Sequence, residues 1–90
     1  MVMNKKWSEA DVIADAIGDR STRDAAEWFS EKLPSDFKIS HASVHNWTEG
    51  AYKPTYGFLF ALQLFYEKDD ERYQMAGKLL QMRRDNERSK

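Results

Sequence analysis

The chain has 90 residues, a formal net charge of −1, 41% apolar and 32% charged side chains, and no cysteine. That length holds one hydrophobic core and not two domains, and three Trp, four Tyr and five Phe argue against disorder because they supply large surfaces to bury. The missing thiols exclude disulfides, thiolate metal sites and cysteine nucleophiles and fit a reducing compartment, while no apolar run approaches the ~18 residues of a membrane span.

The segment from Met1 to Lys6 carries two lysines without a following apolar stretch, which predicts no secretory signal and a cytoplasmic protein. A first helix is expected from Ser8 as N-cap, with Glu9 and Asp11 favourable in its first turn. Val12, Ile13, Ala16 and Ile17 recur on one face, and Gly18 lies near its end. Ser21 or Thr22 can cap a second helix, Ser21 with Asp24 resembling a capping box. Ala25, Ala26, Phe29 and Leu33 form its inner stripe, Trp28 lies alongside, and Pro34 is expected to stop it. The stretch 34–39 reads as a connection whose Phe37 and Ile39 fold back onto the core.

Ser40 caps a short third helix with Val44 and Trp47 on one side, and Gly50 is placed for a left-handed C-terminal cap. After the loop 51–54, Thr55 can cap a fourth helix, Tyr56 to Tyr66, which is apolar nearly all round. Such a helix is central in the core or covered by a partner. A fifth helix begins near Asp69 or Asp70, with Tyr73, Met75, Ala76, Leu79, Leu80 and Met82 as apolar contacts. The expectation is a single all-α domain, 1–90, with its core at 8–82 and a basic tail fraying over 83–90. Alternating runs of β-branched residues are missing, so strands are poorly supported.

The informative stretch runs from Ile39 to Pro54. With Val44 and Trp47 turned inward, His41, Ala42, Ser43, His45 and Asn46 project from the other faces. This outward set is short, polar and uncharged. A solvated structural helix more usually carries Glu, Lys and Arg, whereas such a set suits base edges in the major groove. Charge is unevenly distributed: residues 1–36 carry five basic and eight acidic side chains, net −3, while 37–66 carry Lys38 and Lys53 against Glu49, net +1.

The run Ser40, Ser43-Val44, Trp47, Gly50 and Pro54 resembles the recognition-helix signature of lambda-repressor/Cro-type (XRE) helix-turn-helix proteins. The likeness covers about residues 8–66 and is sharp over 39–54. It implies a five-helix, lambda-repressor-like bundle, in which the second and third helices form a helix-turn-helix with an extended turn. It also implies sequence-specific binding of double-stranded DNA by a phage- or bacterial-type repressor that inserts 40–48 into the major groove. The candidate base contacts are Ser40, His41, Ala42, Ser43, His45 and Asn46. The candidate phosphate contacts are Thr22 and Arg23 at the second helix N-terminus, and Tyr52 and Lys53 after the third helix. With only two lysines and no arginine in the motif region, salt should abolish binding early.

The alternative is a helical protein-interaction module, or a phage-type inhibitor, that keeps the scaffold without binding DNA. The acidic first third and the long connection before Ser40 favour it. The apolar fourth helix, with Met75 and Met82, could form a homodimer surface across helices four and five. His41, His45 and Glu49 have helical spacing for a zinc site, but no second ligand cluster or thiolate supports one. No Ser/His/Asp set or phosphate-cradling loop is present, so neither catalysis, a cofactor nor a small-molecule substrate is expected.

Overall fold

Five α-helices and one short 3-10 turn build residues 7–88, the part of the chain that the computed structural model describes. No strand occurs among the described residues. α1 (Glu9–Ile17) starts in a reciprocal box: Asp11 N–H donates to the Ser8 hydroxyl, and Ser8 N–H donates to the Asp11 carboxylate. It buries Val12, Ile13 and Ile17 and closes at Gly18, where φ is +63°. α2 (Thr22–Ser30) keeps the Ser21 half of the box expected there, the hydroxyl accepting from Asp24 N–H.

α2 ends at Ser30, four residues before the proline expected to stop it. The Ser30 hydroxyl donates to Ala26 O at 2.8 Å and accepts from Ile39 N–H at 3.1 Å. The Tyr66 hydroxyl accepts from Lys32 N–H at 3.0 Å and donates to Phe29 O at 3.2 Å. The backbone groups that a longer helix would pair internally are thus satisfied from elsewhere. Leu33 lies outside the helix and packs half-buried on the core, as Ile39 does. Between them runs a 3-10 turn, Ser35–Phe37.

α3 (His41–Thr48) is capped by Ser40, whose hydroxyl accepts from Ser43 N–H, and α4 (Tyr56–Phe65) by Thr55, which accepts from Phe58 N–H. α5 (Glu71–Arg88) begins after Asp70, whose carboxylate accepts from Arg72 N–H at 2.8 Å. α2 packs on α3, α4 on α5, and α1 against both α3 and α5. Phe29 of α2 meets Trp47 of α3 and Phe58 of α4 edge-on, with ring centroids 6.2 and 5.9 Å away; Trp47 and Phe58 are 5.0 Å apart. Edge-on and tilted pairs at these distances add to the gain from burial.

Three expectations from the sequence change. The face of α4 bearing Phe58, Leu59, Ala61 and Leu62 is buried, but Tyr56, Phe60 and Leu64 on the other face are 47, 56 and 77% exposed. The helix is therefore neither wholly central nor wholly outside. Met75 of α5 is in the core and so cannot belong to a surface across helices four and five, while Met82 packs half-buried against the core. α5 also continues to Arg88 through the stretch expected to fray, and Arg83 within it is anchored. Its guanidinium donates to both oxygens of Glu9 (2.8 and 3.1 Å) and to Pro54 O (2.7 Å). Residues 1–6 and 89–90, including the end of the expected tail, lie outside the described residues. Among those described, no helix is long and apolar enough to cross a membrane.

Candidate nucleic-acid interface

α3 has two turns and two anchors. Val44 is fully buried and Trp47 is 7% exposed. At 100° per residue, fixing these two inward determines the remaining faces. His41, Ala42 and His45 are exposed; Ser43, Asn46 and Thr48 are half-buried. The side chains of His41, His45 and Asn46 enter no hydrogen bond or ion pair among the described residues. They are thus open to an outside partner, and imidazole and carboxamide each offer both donors and acceptors.

The serines differ from the rest of the predicted set. Ser40 stands outside the helix as its cap, and its hydroxyl lies 3.1 Å from that of Ser43 as well as accepting from Ser43 N–H. Part of their hydrogen-bonding capacity therefore goes into starting the helix. At the other end Thr48 donates to His45 O at 2.9 Å, and Gly50 turns the chain at φ +77°. The ridge open to a partner thus runs from His41 to Asn46.

A groove of about 380 Å³ between α2 and the start of α3 is lined by Arg23, Ala26, Glu27, Lys38, Ile39 and His41, among others. It brings Arg23, a predicted phosphate contact, beside His41, a predicted base contact. Thr22, half-buried, is the first residue of α2. Lys38, in the connection before α3, is an exposed cation on this groove that the sequence analysis does not name as a contact. Its position two residues before the cap of α3 was the available signal. Glu27 on the same groove is a carboxylate that opposes an anionic partner.

Lys53 lines a different groove from Arg23, together with Glu9, Pro54 and Arg83. Tyr52 is 67% exposed. The Lys53 ammonium is 3.9 Å from Glu9 and its side chain stays 69% exposed. Glu9 is held mainly by Arg83, at 2.8 Å with both side chains nearly buried. That hydrogen bond, more than any other influence, pushes the Arg83 guanidinium above its ordinary pKa. Lys53 therefore adds only a second, longer contact to a carboxylate that Arg83 already holds, and the exposure of the lysine to water screens that contact. The lysine can leave for a phosphate at little cost.

His41, His45 and Glu49 do not assemble into a metal centre; among the described residues no group of three or more His, Asp or Glu is placed to hold an ion. No protein-family model, curated protein or solved structure matches the chain. What the arrangement offers chemically is hydrogen-bond recognition by an uncharged polar ridge with cations at its margins.

Proposed function

We propose that this protein is a sequence-specific DNA-binding regulator, repressor-like and of phage or bacterial type, which inserts helix 40–48 into the major groove and occludes a promoter. In this reading α2 and α3 form a helix-turn-helix with an extended turn, within a lambda-repressor-like bundle. One observation carries it: Val44 and Trp47 are buried while the polar side chains of His41, His45 and Asn46, with Ala42 among them, stay unpaired on the outer face.

The roles divide by chemistry. Asn46 has the geometry to pair bidentately with adenine, and His41 and His45 can donate to or accept from base edges. Ala42 offers an apolar contact for a thymine methyl. Ser40 and Ser43 contribute the hydroxyl capacity that capping leaves free. Thr22 and Arg23 meet phosphate at the α2 N-terminus, Lys38 does so beside α3, and Tyr52 with Lys53 does so after it. These contacts position the helix; the ridge specifies the sequence.

The test is an NMR titration with mixed-sequence duplex DNA at low salt. Amide shifts are expected over 40–53 and at Thr22, Arg23 and Lys38. The exposed α4 face favours the rival, a scaffold that binds only protein. That rival predicts no response of α3 to duplex DNA, and such a result would overturn the DNA reading.

A further inference from the structure

Of the six large hydrophobic side chains exposed among the described residues, four belong to α4: Tyr56, Phe60, Leu64 and Phe65. Tyr56, Phe60 and Leu64 follow at intervals of four and make one stripe. The Tyr56 and Phe60 rings stack at 6.3 Å and 24°, and the Arg83 guanidinium lies 4.9 Å from the Tyr56 ring. The stripe is ordered before any partner arrives, which lowers the cost of binding.

The geometry points to a second copy of this chain as its occupant, in an isologous, antiparallel pairing of two α4 helices centred on Phe60. Size is the first argument. An aromatic ring stands in the middle with Tyr56 and Leu64 one turn to either side, so a reversed copy sets Tyr56 of one chain against Leu64 of the other. Charge is the second. No Asp, Glu, Lys or Arg lies between Lys53 and Glu67, so the face meets itself without repulsion. The flanks are of opposite sign, Lys53 before the helix and Glu67 after it, and only the antiparallel arrangement brings unlike ends together.

Area is the third. Counting about 100 Å² for each of Tyr56, Phe60 and Leu64, half of a ~200 Å² aromatic surface, gives on the order of 300 Å² per copy, or roughly 600 Å² in the pair, below the ~1,200–2,000 Å² of stable complexes. The dimer is accordingly weak in free solution, associating at high micromolar concentration. It is completed when two half-sites on one duplex hold both copies. Only this last step rests on the DNA reading.

Sedimentation equilibrium from micromolar to millimolar protein, without DNA, tests the pairing. The wild type should pass from monomer to dimer mass. Phe60→Lys and Leu64→Lys, both at exposed positions, should weaken association by at least about tenfold, ~1.4 kcal/mol, with helicity and Tm unchanged. A wild type that stays monomeric at millimolar concentration would overturn the proposal, as would a dimer indifferent to both substitutions. The two readings fail separately. A stripe-dependent dimer that ignores duplex DNA sinks only the DNA reading; DNA binding by a strictly monomeric protein sinks only the dimer.

Discussion

Asn46 and Trp47 are adjacent in the chain and opposite in role. Trp47 fills the junction of α2, α3 and α4 against Phe29 and Phe58, so Trp47→Ala should cost about 3–5 kcal/mol, read as a lower Tm. Asn46→Ala should leave stability within about 0.5 kcal/mol yet weaken binding to a preferred DNA site by about 1–3 kcal/mol, measured by competition anisotropy. The spacing of Val44 and Trp47 made this division legible, because helical geometry alone turns their neighbours outward. Arg72 was not legible. It is 8% exposed, binds Asp70 through two nitrogens at 2.7 and 2.8 Å, and reaches Trp28 O and Glu31 on α2's end. Partners more than forty residues away leave no local mark. Arg72→Met should cost about 3 kcal/mol, lowering Tm by roughly 15 °C. Its hydrogen bond holds the Asp70 carboxyl below the usual range. The stabilisation is therefore full above the ordinary carboxylate value of about 3.9 and is lost as pH falls through the lower folded value. Thermal melts between neutral pH and strong acid should show this component in the wild type and not in Asp70→Asn.

At the scale of elements, beginnings were easier to read than ends. Ser8, Ser21, Ser40 and Thr55 cap their helices through contacts three residues away, and such signals are local. Gly50 was likewise legible, since a left-handed residue after α3 calls for glycine. A Cβ built there meets nothing within 4 Å, so Gly50→Ala should cost about 1 kcal/mol through backbone strain alone, measured by urea denaturation. The end of α2 falls ahead of Pro34 because Ser30, Tyr66 and Ile39 settle it through tertiary hydrogen bonds, which leave no local signal. The orientation of α4 was hidden for another reason. A helix apolar on every side carries no directional pattern, and only tertiary packing, on α5 and through Phe58 on Phe29 and Trp47, decides which face remains in water.

For the whole molecule, the net charge of −1 limits nonspecific attraction to DNA, and Glu27 limits it further beside Arg23 and Lys38. If Arg23, Lys38 and Lys53 each neutralise one phosphate, log affinity should fall with log salt at a slope of about −2.7, and Lys53→Ala should reduce the slope by about 1. The all-helical class and the inward anchors of α3 were within reach of the sequence; the placing of Arg23 and Lys53 on separate grooves was not, because one groove depends on how α2 meets the start of α3 and the other on how α1 and α5 close around the loop after α3. The central claim is that the outward face of α3 reads bases, and selection from a random DNA library at low salt tests it most directly. The wild type should enrich a defined site, and Asn46→Ala should relax preference at one position of it while folding normally. Failure of the wild type to enrich any sequence, or a site left unchanged by Asn46→Ala and by His41→Ala, would contradict it.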